Sequence, residues 1–129
     1  MAPQKKLLLV DDSPSIRSIL RVYLMNGGFE FLEADTAEKG MALLKVTPVD
    51  LIILDVNMPG MDGITFVQKM RADATPHVKS AKVLLLTGSS SDEFRTKGLQ
   101  AGANGFLGKP VDRAKLNELV NAMLTGASA

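Results

Sequence analysis

Asp55 closes the apolar run Leu51-Ile52-Ile53-Leu54 and is followed by Val56-Asn57-Met58-Pro59-Gly60. A carboxylate at the end of such a run is carried on a rigid strand with its tip toward solvent, where it can serve as a nucleophile or a metal ligand. Asp11 and Asp12 close a second apolar run, Leu7-Leu8-Leu9-Val10. Thr87 follows a third run at 83–86, and Lys109 stands directly before Pro110 after a fourth at 105–107. Taken alone, Asp12 reads as a helix cap. Three acids brought together repel one another and stay ionised only if a cation or donor compensates. The chain has no cysteine. Hard oxygen ligands without histidine or thiolate point to Mg²⁺, which keeps several waters and favours sites shared with phosphate. The single histidine, His77, lies in the polar stretch Ala74-Thr75-Pro76-His77 and reads as a surface loop residue.

The elements that must position these groups follow from periodicity. Apolar runs at 7–10, 29–32, 51–54, 83–86 and 105–107 read as strands. Four consecutive apolar residues, as at 51–54, mark a strand buried on both faces, the kind found in parallel sheets. Between the runs lie helical stripes: Ile16, Ile19, Leu20, Tyr23 and Leu24 in the first, Leu116, Leu119, Val120, Met123 and Leu124 in the last. Ser13 before Pro14, Thr36 and Asp62 supply N-caps, and Asn26-Gly27-Gly28 ends the first helix. The helix near 91–100 is poorest in apolar anchors, with Phe94, Gly98 and Ala101 inward, and is expected to be the most mobile. Alternating units of this length predict an α/β fold: a flavodoxin-like (βα)5 doubly wound parallel sheet with strand order 2-1-3-4-5. That order sets the carboxyl ends of strands 1, 3, 4 and 5 side by side, and with them Asp11, Asp12, Asp55, Thr87 and Lys109.

Composition narrows the function classes. A chain of 129 residues with 46% apolar content suffices for one domain and its core. Fifteen basic and fourteen acidic residues nearly cancel, so neither nucleic acid nor an anionic membrane is an expected partner. The start Met-Ala-Pro-Gln-Lys-Lys lacks the apolar stretch of a signal peptide, and no run reaches transmembrane length. A cytoplasmic protein is the expectation.

The chain resembles the receiver domain of two-component response regulators over essentially its whole length. The residues that carry the resemblance are Asp11-Asp12, Asp55 with Met58-Pro59-Gly60-Met61-Asp62-Gly63, Thr87-Gly88, Ala101-Gly102-Ala103-Asn104-Gly105-Phe106, and Lys109-Pro110. The resemblance implies that Asp55 accepts a phosphoryl group from a sensor histidine kinase. It implies Mg²⁺ held by Asp12, Asp55 and the backbone carbonyl of Asn57, with Asp11 contributing through water. Thr87 and Lys109 would bind the phosphoryl oxygens, and the bond before Pro110 would be cis. Phe106 would turn inward as Thr87 shifts, reshaping a face around residues 91–120 that binds a downstream protein. Such a protein is a phosphoacceptor that assists its own phosphorylation and slow dephosphorylation, not an enzyme in the ordinary sense. Asn57 and Ser89 would flank the path of attacking water, a small polar pair expected to permit self-dephosphorylation in minutes rather than many hours.

Residues 1–129 are then expected to form a single receiver domain with no output domain, a stand-alone regulator of the chemotaxis type. A monomer is expected, with a phosphorylation-dependent dimer through the switching face as the open alternative. A phosphorelay intermediate, a receiver cut from a longer regulator and an unphosphorylated scaffold are the nearest rivals. An aspartyl phosphatase would want an acid two residues after its nucleophile, where this chain has Asn57. A calcium loop starting at Asp55 would lack ligands at Pro59 and Phe66. A flavodoxin would need a phosphate loop where Asp11-Asp12-Ser13-Pro14 stands.

Overall fold

The apolar runs pair side by side in parallel. A computed structural model describes residues 4–58, 60–88 and 92–125, apart from the side chains of Asp92 and Phe94. Strands β1 (Lys6–Val10), β2 (Glu30–Ala34), β3 (Leu51–Asp55), β4 (Lys82–Thr87) and β5 (Gly105–Gly108) form one sheet in the order β2-β1-β3-β4-β5. Every pairing in it is parallel. This is the flavodoxin-like order the sequence predicts. Helices α1 (Pro14–Tyr23), α2 (Ala37–Val46), α3 (Gly63–Ala72), α4 (Pro76–Lys79), α5 (Asp92–Ala101) and α6 (Arg113–Leu124) connect and flank the strands. No helix among the described residues is long and apolar enough to cross a membrane.

The two-residue period of the strands divides the core in two. Leu7, Leu9, Leu51, Ile53, Leu84 and Leu86 pack with Leu20 of α1 and with Leu116, Val120 and Met123 of α6. Leu8, Val10, Ile52, Leu54, Val83 and Leu85 pack with α2 through Leu44 and with α3 through Phe66, Val67 and Met70. β3 lies in the middle and is buried at every residue, which is why its sequence shows no alternation. The registers Val10↔Leu54, Asp55↔Leu86 and Thr87↔Gly108 bring the carboxyl ends of β1, β3, β4 and β5 level with one another.

The helix starts follow the capping chemistry of the sequence. Ser13 Oγ accepts from Ile16 N at 3.3 Å, Thr36 Oγ1 from Lys39 N at 3.1 Å and Asp62 Oδ1 from Thr65 N at 2.8 Å. Asp112 Oδ2 caps α6 by accepting from Lys115 N at 2.9 Å.

Three expectations are corrected. Ile19, placed in the inward stripe of α1, is 39% exposed, because Leu20 and Leu24 already fill the space over the sheet. β2 runs to Ala34 rather than stopping at 32. It pairs with β1 from Lys6↔Glu30 to Val10↔Ala34, and its edge position lets Glu30 and Glu33 face outward. His77 is not a loop residue: Pro76 starts α4, and His77 Nε2 lies 3.0 and 3.1 Å from the carbonyl oxygens of Leu44 and Lys45. Its ring N–H thereby ties α4 to the last turn of α2, where carbonyls lack helical partners.

One half-buried guanidinium organises the far side of the sheet. Arg71, near the end of α3, donates to Gly102 O at 3.1 and 2.8 Å, Lys79 O at 2.7 Å, Ala81 O at 2.6 Å and Asn104 Oδ1 at 3.0 Å. Asn104 also pairs with β4, accepting from Val83 N at 2.9 Å. The loop between α5 and β5 is therefore fixed from two sides.

Candidate functional site

Asp55 is the last residue of β3, and its carboxylate is buried rather than open to solvent as the sequence led one to expect, because the neighbouring strand ends and Lys109 close over it. Its Oδ1 accepts from Asn57 N at 3.1 Å and lies 3.1 Å from Lys109 Nζ. The chain then turns into α3 without room for a side chain at Gly63. A Cβ there would stand 2.7 Å from Asp55 O and 2.9 Å from Val56 Cα, so α3 begins hard against the end of β3. Gly63 N donates to Val56 O at 2.9 Å and closes the turn.

Asp11 follows β1 and is only 1% exposed. Its Oδ1 accepts from Ser13 N at 2.9 Å. Its Oδ2 is buried and accepts no hydrogen bond, with Lys109 Nζ 3.8 Å away. Asp12, the next residue, is exposed. Burial is the largest influence on the Asp11 carboxyl and pushes its pKa above the ordinary 3.8. The Ser13 N–H opposes that rise, Asp55 adds to it, Lys109 opposes it, and Asp12 adds to it again.

One carboxylate oxygen from each of Asp11, Asp12 and Asp55 lies within 4.8 Å of the others. Three carboxylates against the single ammonium of Lys109 leave two negative charges in excess. A buried oxygen without a donor, two carboxylates beside it and an excess of two charges fit a divalent cation. The donors are all hard oxygens, which suits Mg²⁺.

The remaining expected residues surround this cluster. Thr87 ends β4 and is buried, and its carbonyl accepts from Lys109 N at 2.8 Å. The Lys109–Pro110 bond is cis. Phe106 in β5 is half-buried, and its ring lies against α5: a Cβ on Gly98 would stand 2.4 Å from Phe106 Cζ. Asn57 meets the cluster through its N–H. Ser89 lies outside the described residues, as does Pro59.

The sequence reading missed Arg17 and Glu33. Arg17 Nη1 donates to the backbone carbonyl of Asp11, and Arg17 Nε donates to Glu33 Oε1 at 3.0 Å. The signal available in the sequence was an arginine one turn into the helix after the acid pair, facing an acid on the polar phase of β2.

Comparison with known proteins agrees with this geometry. A family model described as the response regulator receiver domain matches residues 7–121. The chain is 37% identical over 114 residues to the chemotaxis protein CheY-3 of Vibrio cholerae, covering 88% of this chain and 86% of that one. It is 34% identical over 121 residues to the transcriptional regulatory protein AruR of Pseudomonas aeruginosa, covering 90% of this chain but 48% of AruR. The chain thus spans about half the length of that relative. The solved structure of the chemotaxis response regulator CheY4 of Vibrio cholerae matches with a TM-score of 0.85 at 34% identity, covering 94% of this chain and 99% of that one.

Proposed function

This chain belongs to the response regulator receiver family, and from that premise we propose that Asp55 accepts a phosphoryl group from a sensor histidine kinase and so switches a protein-binding face. Receiver domains are phosphoacceptors rather than classical enzymes, and switching by phosphorylation is general to the family. The observation that carries the assignment is the place of Asp55, buried at a strand end, 3.1 Å from Lys109 Nζ and within a cluster of three carboxylates.

In the transfer, an Asp55 carboxylate oxygen forms a bond to phosphorus as the phosphorus–nitrogen bond of the donor phosphohistidine breaks. The electron pair of that bond leaves with the imidazole, and the product is an acyl phosphate. Asp11, Asp12, Asp55 and the Asn57 carbonyl would hold Mg²⁺, which when bound supplies charge neutralisation for the nucleophile and the phosphoryl oxygens. Lys109 offers a point-charge ammonium already beside Asp55, and its backbone is fixed by the bond to Thr87 O. The Thr87 hydroxyl is the movable donor on the opposite strand end. Its shift toward the phosphoryl group frees space beneath Phe106, which packs on α5 at Gly98.

The face that responds is formed by α5, β5 and α6. Arg95, Phe106, Gly108, Lys115, Glu118 and Leu119 line a groove of about 340 Å³ there. A downstream protein target binding this groove is the output of a cytoplasmic, chemotaxis-type regulator. A monomer is the resting state, with a phosphorylated dimer through the same face as the alternative. The 48% coverage of AruR favours one second reading, in which the same chemistry drives a longer regulator. The small polar residues Asn57 and Ser89 are expected to permit loss of the phosphoryl group in minutes rather than many hours.

Intact mass after incubation with acetyl phosphate tests the assignment. A Mg²⁺-dependent phosphoryl adduct is expected on the wild type and none on Asp55→Asn. No adduct on the wild type under any condition would sink the reading and leave a scaffold of receiver fold.

A further inference from the structure

All but one of the polar groups of Asp11 are held, each from a different direction. Its N–H donates to Ala34 O of β2 at 3.1 Å. Its Oδ1 accepts from Ser13 N, and its carbonyl accepts from Arg17 Nη1. Only Oδ2 accepts no hydrogen bond, and it faces Lys109 Nζ at 3.8 Å.

The carbonyl bond has a special position. The Asp11 carbonyl belongs to the peptide group that joins Asp11 to Asp12, so fixing its oxygen fixes the plane from which both acids depart. The arginine that fixes it is itself fixed. Arg17 has a side chain 15% exposed, its Nε is bonded to Glu33 Oε1, and Glu33 Oε2 also pairs with Arg21 Nε at 3.4 Å. Glu33 stands on β2 next to Ala34, the residue that receives the Asp11 N–H. One edge strand therefore grips Asp11 twice, directly through Ala34 and indirectly through Glu33 and Arg17.

We infer that Arg17, braced by Glu33, is a positioning residue that sets Mg²⁺ affinity by fixing the Asp11–Asp12 peptide. The inference rests on the reading of the carboxylate cluster as a Mg²⁺ site. A guanidinium can serve two acceptors in a fixed plane, whereas an ammonium is a single flexible point charge. Groups that orient metal ligands without touching the metal typically change affinity about 10–100-fold when removed. The sign separates this role from a simple charge effect. Deleting a cation beside three carboxylates would tighten Mg²⁺ binding if charge alone counted. Loss of a positioning bond loosens it.

The test is a calorimetric Mg²⁺ titration of the full chain as wild type, Arg17→Ala, Arg17→Lys, Glu33→Gln and Asp12→Asn. Each is measured below its own melting temperature. Arg17→Ala is expected to weaken binding by about tenfold or more. Arg17→Lys, which keeps the charge, is expected to weaken it as well, and Glu33→Gln to weaken it less. If Arg17→Ala does not fold, Arg17→Lys carries the decision. Wild-type affinity in Arg17→Lys, or tighter binding in Arg17→Ala, overturns the positioning role while the Mg²⁺ site stands. A wild type that binds no Mg²⁺, or an Asp12→Asn variant that binds as the wild type does, overturns the site reading and this inference together.

Discussion

On the β1–β2 flank of the acidic cluster, α1 buries Leu20 against the sheet and Arg17 grips the Asp11 peptide. On the β4–β5 flank, only Gly98 and Ala101 are buried among the described side chains of α5. The first flank anchors large apolar side chains and pairs both the N–H and the carbonyl of Asp11. The second leaves a ring, Phe106, seated in a notch that exists because residue 98 has no side chain. The far end of that flank is nevertheless tied down, since Arg71 holds Gly102 and Asn104. The function proposed for this site, holding a cation in place and transmitting a change of charge, calls for both plans. A stiff wall keeps the ligands in register, and a wall with little buried area can change shape at low cost.

The largest effect that could break this comparison lies in the core. Leu20→Ala on the stiff flank is expected to cost about 2–5 kcal/mol in urea unfolding. Leu99→Ala on α5, at 58% exposure, should stay within about 0.5 kcal/mol. Equal losses would mean the two flanks are anchored alike.

A smaller effect sharpens the picture of the notch. Alanine in a helix interior is favoured over glycine by about 1 kcal/mol. Gly98→Ala should nevertheless destabilise the wild type, because its Cβ would meet the Phe106 ring, and should cost much less in a Phe106→Ala background, where only Leu85 Cδ1 at 3.1 Å still crowds it. The double-mutant cycle is expected to show coupling of about 1–3 kcal/mol. Additive effects would show that the ring does not depend on the notch.

The smallest effect is electrostatic. The Asp11 carboxyl titrates above its ordinary 3.8 in the folded protein, chiefly through burial. The folded state then binds this proton more tightly than the unfolded chain does. The Asp11 contribution to stability is greatest below 3.8 and declines as pH rises through the folded value. Without Mg²⁺, the melting temperature of Asp11→Asn should therefore gain on the wild type as pH rises through that window. A constant difference would show that the Asp11 oxygen is not strained by burial.

The sequence disclosed what is written in local patterns. Apolar runs gave the strands, Ser13, Thr36 and Asp62 gave the helix starts, and acids at strand ends gave the cluster. Arg17 and Arg71 stayed hidden for a common reason. Their partners are mostly backbone carbonyls, which every residue owns, and for Arg71 the partners lie as many as 33 positions away. No residue type marks such an acceptor. α4 and its His77 contact were hidden because one turn of helix has too few residues to show a period. Ile19 misled for the opposite reason, fitting the period while the sheet had no space left for it.

The level ends of β1, β3, β4 and β5 also set an order of events during synthesis. A nascent chain that has emerged through β3 carries Asp11, Asp12 and Asp55, the repelling members of the cluster. It lacks Thr87 and Lys109, and it lacks β4, the strand that pairs with β3 along its whole length. Lys109, the ammonium that pairs with Asp55, arrives 54 residues after it. The ribosome thus releases the acids before their counter-charge.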